Sequence, residues 1–591
     1  MGRFSLGACF GNYNMYKLDI RPRGNKMAII GIDLGTTNSL AALWRNGEPT
    51  IIPNANGGRL TPSVVSVDDD GTILVGDAAK ERLITSPDKT ASCFKRTMGQ
   101  RRFYMLGDKA FNSVELSSLI LKSLKTDAEK FLNEEIEEAV ISVPAYFNQN
   151  QRKATKDAAK LAGLKVERLV SEPTAAALCH GVQNKDDFST VMVLDLGGGT
   201  FDVSLLELFD GVVDVKAVSG DNMLGGEDFT RQIATWFLDE CGIKENPTPE
   251  ELNRLVKLSE NAKRTVTDED DQPGFFVMKI EIGDKEHKQV LTYEKFSEIC
   301  KSFMSRMIVP IKKVLRDTNM KADDIDGVIL MGGATRMKNV RDFARDVFGE
   351  KVITSYNPDE TVGLGASILA AMKANDFDLQ ETVLTDICPF TLGIAATMNA
   401  SEEPSFSPII ERNSPVPISI VKKYSTVVPG QTKVNVKVYQ GESFDLDKNL
   451  RLGVLEVPVP HNLSSTEEIS VRFTYDINGL LEIETTTSDG IKKSMMLNQN
   501  NADLSEEEIA LAQKKMQSLK ILPWEESVNK LLLERGKRLF SENLGEVREK
   551  IALAIEDFKK ALDSQNPDRI KTVRNAVKTF FDKIDDIGGE I

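Results

Sequence analysis

The sequence predicts a multidomain protein in which a two-lobed α/β domain is followed by a β-sandwich and a short helical region. Apolar strands alternate with helical periodicities from Met27 to about Ala374, including one predicted helix over 293–319, a pattern typical of α/β layers. Residues 387–497 contain short alternating strands with almost no helical period, and Asn478-Gly479 predicts a hairpin, which favours a sandwich. The helical period returns at Ser505, which stands in capping-box spacing with Glu508. An apolar stripe there predicts a small helical bundle with its own core, formed by Leu531, Leu532, Leu539, Ile551, Ile555, Phe558 and Leu562.

The predicted domain boundaries follow these changes of pattern. We interpret residues 1–26 as a leader, and a start codon placed too early would explain them, because Met27 directly precedes the first strand. The composition changes again where the α/β pattern ends, and we interpret that stretch as a linker. The prediction is therefore an α/β domain at 27–376, a linker at 377–386, a sandwich at 387–502 and a helical region at 503–591.

The composition excludes several classes of protein. The chain has 591 residues, of which 41% are hydrophobic and 28% charged, so it is long enough to bury several cores. Its net charge of −15 argues against a general surface for nucleic acid or anionic membranes. The six cysteines lack metal-ligand or disulfide-framework spacing, and no apolar run reaches the roughly 18 residues of a membrane helix. We expect a monomeric cytoplasmic protein that binds neither nucleic acid nor membrane.

One motif occurs in both halves of the α/β domain, at residues 31–37 and 194–200. Each copy is an apolar strand that ends in an acid, Asp33 or Asp195, followed by a glycine turn and a threonine. The acid can hold a hydrated divalent metal, while backbone N–H groups at the glycines and the threonine hydroxyl can bind phosphate oxygens. A single glycine turn also occurs without any ligand, but two facing turns predict a site for a nucleoside triphosphate and its metal.

Two further segments carry candidate chemistry. Glu172 begins a helix and could position a water for attack on a terminal phosphate, although a surface glutamate that stabilises a helix N-terminus would look the same. A third glycine turn at 330–336 suits the close approach of a base or ribose, and the guanidinium of Arg336 could stack on a purine.

Together these segments resemble the DnaK-type heat-shock chaperone family, whose front half has the ATPase fold of actin and sugar kinases. The resemblance extends from about Met27 to the final helices, and it is close in the front half and loose in the tail. The short helical end and the abbreviated first lobe are most similar to the specialised HscC-like branch. The motifs that carry the resemblance are residues 31–39, 143–147, 172–177, 195–204, 224–229 and 357–360.

The resemblance implies the roles of residues at an ATP site. Asp33 and Asp195 would orient the waters around Mg²⁺, and K⁺ is a further candidate ion. The implied catalytic residues are Lys95, Glu172, Asp195, Thr200 and Asp33. The implied ATP- or ADP-binding residues are Gly35, Thr36, Thr37, Asn38, Gly197, Gly198, Gly199, Gly225, Gly226, Glu227, Glu260, Lys263, Arg264, Thr267, Gly332, Gly333, Arg336 and Asp359. Without the resemblance, the lysine and the helical charge cluster would be ordinary solvated side chains.

The resemblance also implies partners for the second half of the chain. The helical end would be a lid over a peptide groove, and Arg168 and Asp386 would contact a J-domain co-chaperone. Thr397 and Val427 stand where the general chaperone has Met and Ala, which leaves client preference open. The residues implied at the groove are Ile394, Thr397, Tyr424, Ser425, Val427, Gln431, Val434 and Val436, although the valines alone would be read as sandwich core.

The function expected from these observations is an ATP-hydrolysing chaperone for extended apolar segments of unfolded or specific clients. One alternative is a regulatory binding protein that uses ATP as a latch for a few partners, and a peptide array would separate the two. Another is an actin-fold small-molecule kinase, against which the β-sandwich argues. The short segment between Arg96 and Ser113 leaves open whether a nucleotide exchange factor is needed.

Overall fold

The computed structural model describes most of the chain. The described residues are 28–183, 189–209, 212–243, 247–267, 274–283, 285–353, 357–374, 383–397, 403–477, 479–497, 523 and 527–588. The predicted leader and the predicted capping box at Ser505 and Glu508 lie outside them.

The first lobe is built on a six-stranded sheet with the order β11-β10-β1-β2-β3, in which β4 also pairs with β2. The alternation of apolar residues places one face of this sheet against α2 and α3, where the lobe has its core. The strands are β1 (Ile29–Asp33), β2 (Asn38–Arg45), β3 (Glu48–Ile52), β4 (Thr61–Pro62), β5 (Val64–Val67), β6 (Ile73–Val75), β7 (Thr90–Ser92), β8 (Phe103–Leu106), β9 (Lys109–Asn112), β10 (Glu138–Val143) and β11 (Leu169–Ser171). The helices are α1 (Asp77–Thr85), α2 (Ser113–Leu132) and α3 (Gln149–Leu161).

The second lobe repeats this plan around a sheet with the order β18-β17-β12-β13-β14. Its strands are β12 (Ser189–Leu196), β13 (Phe201–Phe209), β14 (Val212–Asp221), β15 (Phe275–Ile282), β16 (Lys285–Thr292), β17 (Gly327–Met331) and β18 (Val352–Ile353). Its helices are α5 (Gly226–Glu240), α6 (Pro249–Val266), α7 (Tyr293–Ile299), α8 (Lys301–Asp317) and α9 (Lys338–Phe348), while α4 (Glu172–Gln183) and α10 (Thr361–Lys373) lie between the two lobes. The sequence predicted one helix over 293–319, but Cys300 interrupts it with φ −96° and ψ 1°.

The two lobes meet in a shared core. Helices α4 and α10 pack between the two sheets, and their alanines allow close approach to β10 and β12. In both sheets the central strand runs parallel to one neighbour and antiparallel to the other, so β1 and β12 occupy equivalent positions. The acid of each repeated motif, Asp33 or Asp195, therefore emerges at the end of a central strand and faces the cleft between the lobes.

The predicted linker forms a strand over its described residues. β19 (Val383–Ile387) runs parallel to β14 and antiparallel to β22 (Pro415–Val416), so it extends the second-lobe sheet to seven strands. Residues 377–382 of the predicted linker lie outside the described part of the chain.

The sandwich contains two four-stranded sheets, β21-β20-β24-β25 and β23-β26-β27-β28. Alternating valines and isoleucines of both sheets point inward and form one core, as the period-two pattern predicts. The predicted hairpin connects β26 and β27, although Asn478 itself is outside the described residues. The remaining strands are β20 (Leu392–Ala396), β21 (Ser405–Ile410), β23 (Ile418–Ser425), β24 (Lys433–Gln440), β25 (Leu450–Pro458), β26 (Glu468–Tyr475), β27 (Leu481–Thr487) and β28 (Lys492–Leu497).

Three helices close the chain: α11 (Ser527–Glu542), α12 (Gly545–Asp563) and α13 (Pro567–Gly588). Their predicted apolar stripe forms a separate small core that includes Ile551, Phe558 and Phe581. The stripe was predicted to include Leu531, but that side chain is 71% exposed because Leu532 takes the inward position. No helix among the described residues is long and apolar enough to span a bilayer.

Candidate functional site

A cavity of about 540 Å³ lies between the two lobes. All five predicted catalytic residues line it, together with the predicted ATP-binding residues except Gly199 and Gly225. The predicted residues that line the cavity are Asp33, Gly35, Thr36, Thr37, Asn38, Lys95, Glu172, Asp195, Gly197, Gly198, Thr200, Gly226, Glu227, Glu260, Lys263, Arg264, Thr267, Gly332, Gly333, Arg336 and Asp359.

The two remaining glycines lie one layer behind the cavity wall. A Cβ on Gly225 would come within 2.4 Å of the backbone nitrogen of Gly199, so the two turns pack directly on each other. They allow the two turns to pack closely and do not line the cavity themselves.

The two glycine turns of the repeated motif face each other across the cleft, as the sequence predicts. The turn between β1 and β2 carries Thr37, and the turn between β12 and β13 carries Gly198. A Cβ on Gly198 would be 1.9 Å from the Thr37 hydroxyl oxygen, so any larger residue would push the turns apart. The lobes are also joined beside the turns, where Arg96 of the first lobe pairs with Asp228 of the second and donates to the Gly199 carbonyl at 3.1 Å.

Several buried carboxyl groups meet at the ends of the central strands. Burial, and next the charge of Glu172, raise the pKa of Asp33 to about 7. Burial and the same neighbour raise the pKa of Asp195 well above its usual range. Ser142 donates to Asp33 at 2.8 Å and fixes the position of that carboxyl group. These crowded acids therefore hold their protons more readily than exposed carboxyl groups do, and a cation beside them would favour the ionised forms.

A buried ion pair lies beside these acids. The Lys95 Nζ donates to the Glu172 Oε1 at 2.8 Å, and the two residues are only 5% and 8% exposed. Lys95 belongs to a short 3₁₀ helix, Phe94–Thr97, while Glu172 begins α4, so the pair joins two separate elements. The ammonium also lies 5.7 Å from the centre of the Phe147 ring. Sequence position alone gives no sign that the lysine is buried.

Charged side chains of α6 form the opposite wall. The Glu260 carboxylate pairs with the Lys263 ammonium at 2.6 Å and the Arg264 guanidinium at 2.7 Å. Burial opposes ionisation there, but the Lys263 charge and hydrogen bonds from Lys263, Thr230 and Arg264 lower the pKa of Glu260 to about 2. Nearby, Arg336 pairs with Asp359 at 2.7 Å. The guanidinium side chains of Arg264 and Arg336 are 73% and 51% exposed, and both lie at the mouth of the cavity.

Two features of the site were not predicted from the sequence. One is Asp202, which is 1% exposed and whose pKa is raised to about 7, first by burial and then by the charge of Glu172. Its position two residues beyond Thr200, within the segment 195–204 that carries the family resemblance, was the available signal. The other is an apolar part of the wall, for which single residues give no sequence signal; its members are Leu40, Leu60, Ala334, Met337, Pro358 and Val362.

The predicted groove residues divide into two groups. Ile394 and Val436 are 4% and 3% exposed and belong to the sandwich core, against which Tyr424 and Val434 also pack. The others lie at the end of β23 or just after β20 and β23: Thr397 is half-buried, Ser425 and Val427 are exposed, and Gln431 is half-buried. The Gln431 Oε1 accepts from the Val427 N–H at 3.0 Å, and the Tyr424 hydroxyl lies 3.0 Å from that of Ser407.

Arg168 and Asp386, both predicted J-domain contacts, are brought together beside β19. Burial lowers the pKa of Arg168, and the charge of Asp386 partly opposes that shift. The α/β unit and the sandwich are in direct contact around this point. Tyr146 and Phe390 have ring centres 4.4 Å apart, and Arg412 of the sandwich makes two 2.8 Å bonds to Asp317 of α8.

A comparison with known protein families agrees with this architecture. A family model described as Hsp70 protein matches residues 29–105 and 103–586, nearly the whole chain. The match covers the two lobes, the shared strand, the sandwich and most of the helical bundle. The chain therefore belongs to the Hsp70 protein family.

Proposed function

We propose that this protein is a chaperone in which hydrolysis of Mg-ATP in the cleft controls the opening and closing of a peptide groove in the sandwich. Membership of the Hsp70 family supports ATPase and chaperone activity in general. The proposed clients are extended apolar segments of unfolded or specific proteins. The abbreviated first lobe, with its short segment between Arg96 and Ser113, favours a specialised, HscC-like member.

One observation carries this proposal: a single strand belongs to the sheet of the second lobe and leads into the sandwich. β19 pairs with β14, β14 pairs with β13, and β13 pairs with β12, which carries Asp195. A movement of the second lobe when nucleotide binds or leaves therefore acts on the sandwich through backbone hydrogen bonds. Because coupling is reciprocal, a peptide that favours one arrangement must also alter the affinity for nucleotide.

The buried pair of Lys95 and Glu172 is suited to the hydrolytic step. The lysine can donate to the attacking water and to the terminal phosphate, while the glutamate can accept from the water and hold it in line. The positive charge also balances negative charge that develops on the phosphoryl oxygens. Thr200 and the facing glycine turns would bind the phosphates through hydroxyl and backbone N–H groups.

The crowded carboxyl groups fit a divalent cation. Asp33 and Asp195 are oxygen ligands of the kind that Mg²⁺ prefers, and their raised pKa values indicate that a positive charge is needed to keep both ionised. Among the described residues, no three His, Cys, Asp or Glu side chains are grouped closely enough to hold a metal by themselves. This favours binding mostly through water, with Mg²⁺ neutralising phosphate charge when bound. K⁺ remains a candidate second ion.

The mouth of the cavity suits the adenosine. The exposed guanidinium groups of Arg264 and Arg336 are planar and can stack on a purine, while Glu260 and Lys263 offer hydrogen bonds to the ribose. In the sandwich, we assign Ile394, Val434 and Val436 to the floor of a side-chain pocket. The exposed backbone near Ser425 and Val427 would bind the peptide main chain. Arg168 and Asp386 would receive the J-domain co-chaperone.

The test is phosphate release from Mg-ATP in a single turnover, with and without a short extended apolar peptide and a J-domain protein. Acceleration by peptide or by the J-domain is expected, because both act on the sheet that contains β19. Hydrolysis that responds to neither would contradict coupling and would favour the ATP-latched binding protein. Phosphate transfer to a small molecule would favour a kinase.

A further inference from the structure

The turn between α12 and α13 reaches the edge of the sandwich through one side chain. The Gln565 Nε2 donates to the Val421 carbonyl at 2.9 Å, and the Gln565 Oε1 accepts from the Val421 N–H at 3.1 Å. Val421 lies in β23, which is the edge strand of its sheet. A side-chain amide here makes the two bonds that a residue of an added β-strand would make.

Gln565 is held in this position by its turn. Its φ is +51°, in the left-handed region that glutamine seldom adopts. The Gln565 N–H donates to the Leu562 carbonyl at 3.1 Å, and the Ser564 hydroxyl donates to the Ala561 carbonyl at 2.6 Å. The left-handed residue that ends α12 therefore directs the Gln565 amide towards β23.

The edge that Gln565 occupies continues towards the proposed groove. Backbone groups alternate in direction along an antiparallel strand, so Ser419, Lys423 and Ser425 face the same way as Val421. In agreement, the Thr426 N–H donates to the Glu467 carbonyl at 2.9 Å, in the opposite direction towards β26. Ser425, at the near end of this edge, is one of the proposed groove residues. Val421 lies four residues further along, about 13 Å away.

We propose that the outer edge of β23, from Ser419 to Ser425, is a second binding surface that takes the extended backbone of a client by strand addition. Gln565 occupies this edge as an internal competitor. A client chain that continues past the groove displaces the amide from Val421 and replaces its two bonds with main-chain bonds. The recognised chemistry is an extended segment with free N–H groups, largely independent of side chains. This inference rests on the proposed function.

The test compares three peptides: a seven-residue apolar core, the same core extended at both ends by about six residues, and the extended form with alternate N-methylated amides. Each is titrated against the full chain and two variants. Gln565→Asn keeps an amide and tolerates the left-handed turn, but it is one methylene too short to bridge Val421. Glu556→Gln, on the exposed face of α12, is the matched control.

We expect Gln565→Asn to bind the extended peptide about threefold to tenfold more tightly than the unaltered protein does. The affinity for the core peptide stays unchanged, N-methylation removes the gain, and Glu556→Gln has no effect. Hydrogen exchange at the Val421 amide should slow when the extended peptide binds.

Equal affinities for the core and extended peptides in every variant would overturn the inference, as would undiminished binding of the N-methylated form. If Gln565→Asn lowers the stability of the protein without changing its affinity for the extended peptide, Gln565 has only a structural role and the inference is wrong. If the core peptide itself does not bind, the groove in the proposed function is wrong instead.

Discussion

The cleft between the lobes and the proposed groove of the sandwich are built in opposite ways. The cleft residues stand at strand and helix ends, are mostly buried, and hold one another through charged contacts such as that between Lys95 and Glu172. The groove residues are divided between a rigid apolar core, represented by Val436, and an exposed turn that carries Val427. The cleft therefore depends on fixed geometry, whereas the proposed groove can change shape by moving a turn without disturbing its core.

The largest effect should come from removing the buried cation of the cleft. Lys95→Ala is expected to lower single-turnover hydrolysis by about 10²-fold to 10³-fold, because in the proposed function it removes the charge that faces the phosphoryl oxygens. ATP binding, measured by calorimetry, should remain. Lys279→Ala, which removes an exposed lysine paired with Glu286 at 2.7 Å, is the matched control and should leave the rate unchanged. Unchanged hydrolysis in Lys95→Ala would remove this residue from the mechanism.

A smaller loss of hydrolysis rate should follow from removing the hydroxyl group at the second glycine turn. Thr200→Ala should slow hydrolysis about tenfold to a hundredfold, since it deletes one hydrogen bond to a charged phosphate. Thr200→Ser keeps the hydroxyl and should retain most of the rate. If Thr200→Ser is as slow as Thr200→Ala, the methyl group, and not the hydroxyl, matters at this position.

Two valine substitutions separate the core of the sandwich from its exposed turn. Val436→Ala should destabilise the sandwich by about 2 kcal/mol, because it leaves a cavity in a packed core. Val427→Ala should leave the melting temperature unchanged and weaken peptide binding about threefold to tenfold. Thermal unfolding and peptide titration of both variants check this. If Val427→Ala destabilises the fold as much as Val436→Ala, the division between core and turn is wrong.

The acids of the cleft should give the smallest effect, a pH dependence. Between pH 3.8 and about 7, folded Asp33 and Asp202 retain protons that the unfolded chain has lost, so their contribution to the free energy of unfolding falls as pH rises through this window. Mg-ADP favours the ionised acids, and it should therefore raise the melting temperature more at pH 8 than at pH 6. Calorimetry with Asp202→Asn as the comparison should show a weaker pH dependence, and equal shifts at both pH values would refute the assignment.

Local patterns were enough to predict the strand–turn–strand units and the acids at their ends. Asp33 and Asp195 stand in a repeated motif whose strands pair with their own neighbours in sequence, so their position follows from local structure. Packing between distant elements is different. No sequence period distinguishes Gly225, which supports a neighbouring turn, from Gly226, which lines the cavity.

Tertiary contacts also decide the remaining differences. The helical period continues through Cys300, yet the chain turns there between α7 and α8. The apolar pair at Leu531 and Leu532 fits a helical stripe equally well at either position, and packing of the bundle selects the second. The contact between Gln565 and Val421 joins residues 144 positions apart and has no local signal.

The central claim is that nucleotide in the cleft sets the state of the groove through the strand that the two units share. The most direct measurement is the dissociation rate of a labelled apolar peptide from the full chain with Mg-ADP and after rapid addition of Mg-ATP. We predict faster release with ATP, and a much smaller change in Thr385→Pro, which introduces a proline into β19. The same release rate with either nucleotide, in a protein that binds both, would show that the cleft does not control the groove.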